Sequence, residues 1–150
     1  MNIQEIHSSS LAVSAFATVT VTIATDTTTY SSAIDRRGYS AIEFFVNSGV
    51  ITDGAYTITL VECDTSGGTY TDVAAGNQLG ASAAKDNGAI YYTSSIAFAL
   101  TEDQTVKRIG YTGTKNFVKL KIVSTGTTTG GIFGGVVVKA NAMSTPVTAA

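Results

Sequence analysis

The side chains able to do chemistry are few and far apart. The chain holds one histidine, His7, and one cysteine, Cys63. Nucleophilic and general acid–base catalysis mostly draw on such groups, tuned by close neighbours. Cys63 has no histidine near it in sequence and reads as a packing or surface residue. His7 lies in a polar His-Ser-Ser-Ser run and reads as exposed, without the further ligands a metal needs. Two carboxylate pairs remain, Glu62/Asp64 and Glu102/Asp103. On a strand, residues 62 and 64 share a face, as a glycosidase-type acid pair would require. With no tryptophan to line a sugar-gripping cleft, they read instead as solvated edge charges.

The loops support no ligand chemistry either. Asp64 and Asp72 lack the alternating acidic loop of a calcium hand, and an Asp that caps its own turn explains each. The run Gly-Tyr-Thr-Gly-Thr-Lys (110–115) lacks the phosphate-loop spacing and leads into a strand pattern where that loop needs a helix. No catalytic residue, metal or cofactor is expected.

These scattered groups sit on a strand-rich frame. A chain of 150 residues suits one domain that buries a core without disulfides or metals. Charged residues make up 13%, about half the usual ~25%, so much of the surface is Thr, Ser, Gly and Ala. The net charge of −2 creates no field for nucleic acid or a membrane. Every acidic residue lies at or before Asp103, whereas Lys107, Arg108, Lys115, Lys119, Lys121 and Lys139 follow it. That basic tract reads as the solvated face of strands, with lysines blunting edges. No stretch is apolar enough to span a bilayer, and the N-terminus lacks a signal-peptide pattern, so synthesis in the cytoplasm is expected.

Residues 1–10 read as a polar arm. Alternation of period two then begins. Val19, Val21 and Ile23 share a face in residues 18–25; Ile42, Phe44 and Val46 do so in 40–47, where Asn-Ser-Gly stops the strand. Tyr56, Ile58 and Leu60 line one side of 55–63, and residues 64–70 form a glycine-rich turn. Residues 26–32 read as loop, and 74–88 as loop with a helical turn. In 106–124 two strands flank Thr112-Gly113-Thr114, with Val118, Leu120 and Ile122 inward and Lys119 and Lys121 outward. A last strand covers 132–140, and 143–150 form a tail. Strands punctuated by turns, with no convincing amphipathic helix, give an all-β class: a single sandwich or jelly-roll-like domain over residues 11–142.

Phe45 and Phe117 fall opposite the main hydrophobic row of their strands. Either both faces of those strands are covered within the monomer, or the rings sit in a contact with another subunit. With Lys119 and Lys121, they are the candidate contacts with another subunit or a partner protein.

Three blocks in order, residues 34–73 (IDRRGYSAIEFFVNSGVITDGAYTITLVECDTSGGTYTDV), residues 106–123 (VKRIGYTGTKNFVKLKIV) and a last strand rich in small residues, cover about two thirds of the chain. In this order they resemble small structural proteins encoded in the head-gene region of tailed bacteriophages and prophages. The resemblance implies a head decoration, or cement, protein on the capsid exterior. Its partner would be the major capsid protein, and its assembly a homotrimer at a three-fold position. It brings no catalytic residues. Lys119 stands where members often carry Arg, which weakens any two-pronged carboxylate contact there. A tail or head–tail component is the rival within the virion. A carbohydrate-binding sandwich, stacking sugars on Tyr91 and Tyr92 or on Tyr30 and Tyr39, is the rival from another class.

Overall fold

A computed structural model describes residues 6–84 and 90–143. The chain runs through β1 (Leu11–Ser14), β2 (Thr20–Ile23), β3 (Thr28–Tyr30), β4 (Ile34–Asp35), β5 (Tyr39–Ile51), β6 (Ala55–Cys63) and β7 (Thr71–Asp72). A short 3-10 turn (Ala75–Asn77) precedes β8 (Gln78–Leu79), β9 (Ser82–Ala84), β10 (Ile90–Tyr92) and β11 (Ile96–Phe98). Three strands end the described chain: β12 (Val106–Tyr111), β13 (Phe117–Thr125) and β14 (Gly131–Ala142).

The strands build a β-sandwich. The first sheet has the order β1-β14-β5-β12-β8, with β2 also on β14. The second has the order β11-β6-β13-β3, with β4 on β13 and β7 on β6. β9 and β10 pair separately as a hairpin. Although consecutive, β12 and β13 lie in different sheets, so the Thr112–Gly113–Thr114 link crosses the sandwich.

Alternation explains the packing. Phe44, Val46, Ile109, Phe133 and Val137 of the first sheet and Ile58, Leu60, Val118, Leu120 and Ile122 of the second are all fully buried. Each such side chain contributes roughly 1.5–3 kcal/mol by leaving water. Phe133 lies at the centre of an aromatic group, its ring 4.6 Å from Tyr56 and 5.6 Å from Phe98. Both contacts are tilted or edge-on, the orientations that ring quadrupoles favour.

Four local expectations change. β5 does not stop at Asn47 but runs to Ile51. Gly49 and Val50 oppose the single residue Ile132, a β-bulge that absorbs the Ser-Gly step. Ser48 is buried because its hydroxyl donates to Glu102 O and accepts from Thr105 N. Residues 26–32 are not all loop: β3 lies within them, extended by Ser31, which exchanges bonds with the Leu120 backbone. Residues 74–88 hold β8 and β9 besides the turn. Finally, β2 begins only at Thr20, leaving Val19 88% exposed ahead of it.

Candidate functional site

The three blocks that carry the resemblance meet at one end of the sandwich. Arg36 donates to the carbonyls of Thr114 and Lys115 through its guanidinium, and to Asn116 O through its backbone N–H at 3.0 Å. The phenol of Tyr111 donates to the Glu62 carboxylate and accepts the Lys115 N–H at 2.9 Å. Lys115 pairs with Asp64 at 2.7 Å. Gly113 lies against the Tyr111 ring so closely that a Cβ there would stand 2.4 Å from the phenol oxygen. The Gly-Tyr-Thr-Gly-Thr-Lys run is thus a tyrosine-locked crossover, not a phosphate loop. Burial, then the bond to Glu62, pushes the Tyr111 phenol well above its ordinary pKa.

The carboxylates are committed to structure. Glu62 accepts from the Tyr111 phenol, and Asp64 pairs with Lys115. Glu102 holds Lys107 and the Ala99 N–H, while Asp103 accepts Ile51 N at 2.7 Å. Asp53 receives the backbone N–H groups of Thr128, Thr129 and Gly130 and the Thr128 hydroxyl. That set of donors, the hydroxyl first, lowers its pKa to about 2 and pins the loop before β14. Among the described residues, no three His, Cys, Asp or Glu side chains gather as metal ligands.

The outer face of the second sheet carries three of the four candidate contacts, each with a partner in its own chain. The Arg37 guanidinium lies over the Phe117 ring at 5.2 Å while pairing with Asp35 at 2.6 Å. Lys119 sits over the Tyr70 ring at 4.1 Å, and Lys121 pairs with Asp72 at 2.7 Å. Exposed contacts of this kind are each worth about 1 kcal/mol or less.

The outer face of the first sheet differs. Phe45, half-buried, stands in register between Val136 of β14 and Arg108 of β12. Val136 is 46% exposed and Val106, along β12, 63% exposed; Ile132 lies further along β14. Phe45 and Val136 adjoin across β5 and β14, and Val106 shares their sheet face, opposite Asn47 and two residues from Arg108. Sequence reasoning found Phe45 but missed Val106 and Val136. The signal for Val136 was present: in the run 136–138 the middle valine is core, so its neighbours face outward.

Of the proposed stacking tyrosines, Tyr30 and Tyr39 do not assemble as a pair. Tyr30 and Tyr39 belong to different sheets, and Lys139 lies over the Tyr39 ring at 4.6 Å. Tyr92 is half exposed beside Phe45; the Tyr91 side chain lies outside the described residues. His7 is exposed in a turn, and Cys63 is a free, half-buried thiol. In comparisons with known proteins, the chain matches no family model and no curated protein.

Proposed function

We propose that this chain is a structural protein of a tailed-phage virion, a decoration protein that clamps the major capsid lattice from outside as a homotrimer. The observation that carries this reading is the exposure of Val106 and Val136 on the same sheet face as the half-buried Phe45. An ordered strand face of this kind favours burial against another protein surface. The opposite face, with its internally paired charges, suits the side left in water. The resemblance of three sequence blocks supplies the identity of the partner, and their convergence at one end of the fold makes them parts of a single structural unit.

The physical mechanism is linkage. A protein that binds only the mature shell stabilises it, by about 2.7 kcal/mol per site when free protein stands a hundredfold above Kd. Shells lacking the protein should assemble but rupture at lower temperature, and purified protein should restore them. Particles without it that keep full shell stability but lack tails would place the chain in the tail and overturn the reading. Binding to glycans with no affinity for shells would do the same in favour of a carbohydrate module.

A further inference from the structure

Next to Phe45, part of the β12 edge has no partner strand among the described residues. Gly110 pairs with Leu79, and Thr112 N donates to Asn77 O, so even-numbered residues of β12 turn their backbone groups toward β8. β8 then ends, because Gly80 N and Ala81 N turn away to Thr93 O and Ser95 O. Gly80 makes that departure possible: a Cβ there would stand 2.3 Å from Ser95 O. The N–H and C=O groups of Arg108 and Val106 consequently point past the end of β8. Among the described residues, no strand pairs with them on that side.

A groove of about 620 Å³ lies along this edge, bounded by Phe45, Val106, Arg108, Ala81 and Tyr92. That volume is within the roughly 300–1,000 Å³ typical of ligand sites. Its chemistry is specific: two N–H donors and two C=O acceptors at strand spacing, an apolar floor, and a cation. The Arg108 side chain pairs loosely with Glu43 at 3.8 Å and stays 67% exposed, so a second carboxylate can reach it. Lys107, in contrast, is already occupied by Glu102 and Ala97 O.

We propose that this edge is a strand-addition site. Its occupant is an extended segment of another polypeptide, which pairs its backbone with Val106 and Arg108, lays an apolar side chain on Phe45 and brings a carboxylate to Arg108. Main-chain bonds supply affinity in such complexes and alternate side chains supply selectivity. The inference goes beyond the capsid reading and does not rest on it: the occupant is defined by its extended backbone, its apolar side chain and its carboxylate.

The test exposes the full chain to bead-displayed random heptapeptides and then measures amide exchange with the most enriched peptide bound. Enriched peptides should alternate apolar residues and carry Asp or Glu. The bound peptide should slow exchange at Val106 and Arg108 by about tenfold or more. Lys107 and Ile109, whose N–H groups already face β5, should change little. Arg108→Glu, checked for folding by circular dichroism, should shift the preference to basic peptides. No enrichment, protection confined to other strands, or an unchanged charge preference in Arg108→Glu would each overturn the proposal.

Discussion

The phenol of Tyr111, on β12 of the first sheet, donates to the carboxylate of Glu62, on β6 of the second. This bond ties the two layers together where the chain crosses between them, and the same oxygen accepts Lys115 N. Tyr111→Phe should therefore cost about 1–3 kcal/mol, because it leaves a carboxylate and an N–H without their shared partner. Gly113→Ala, which forces a Cβ into the ring, should destabilise by about 1–3 kcal/mol through overpacking. Denaturant melts of both variants check these values.

The same tyrosine gives an alkaline signature. Its pKa is raised in the folded state, so its stabilisation is fully present below the unfolded value near 10. Above that pH the unfolded phenol ionises first, and stability declines as pH rises toward the folded pKa. Tyr111→Phe should make the decline shallower than in the parent protein. Some slope should remain, since burial also raises Tyr56 and Tyr70. Chemical denaturation between pH 8 and 11 reads this directly.

Asp53 gives the opposite, acid signature. Its carboxylate, held at about 2 by the Thr128 hydroxyl and the N–H groups after it, stabilises the fold above its usual value of 3.8. That contribution should fade as pH falls from about 4 through 2. Asp53→Asn should melt earlier than the parent at pH 6, and the two melting curves should converge toward pH 2. A constant gap across that range would contradict the loop-lock role.

In the core, Leu120→Ala should cost about 2–5 kcal/mol because Leu120 is fully buried. Lys119→Ala, one residue along, should cost about 0.5–1 kcal/mol through loss of the Tyr70 contact. Equal losses at both positions would mean that the strand faces are wrongly assigned.

The alternation of 55–63 and 117–123 made β6 and β13, and their inward rows, readable from sequence, because each strand buries one continuous face. β3 was not readable: Thr28–Tyr30 has no alternation of its own and is held by pairing to Lys121, Ile122 and Val123. Nor was the continuation of β5, since the bulge opposite Ile132 depends on a strand some eighty residues away. The candidate contacts divided for the same reason. Sequence set Phe45 and Phe117 outward alike, but only tertiary structure brings Arg37 over one and leaves the other beside Val136 and a groove.

That division predicts unequal effects on assembly. Phe45→Asp should raise the concentration at which the proposed trimer dissociates by about tenfold or more, as loss of a central apolar anchor does. Phe117→Asp should act weakly, because Arg37 already covers that ring and pairs readily with the new carboxylate. Mass measurement across a dilution series checks both. Dissociation by Phe117→Asp alone would move the subunit contact to the second sheet.

The most direct measurement of the proposed role is a density map of the virion at a resolution that separates strands. The account predicts the sandwich on the outer shell, three copies about a local three-fold axis, with Phe45 and Val136 buried in a protein contact and Lys119 and Lys121 facing water. Density for the chain in the tail, or on the shell with the Phe45 face open to solvent, would contradict it.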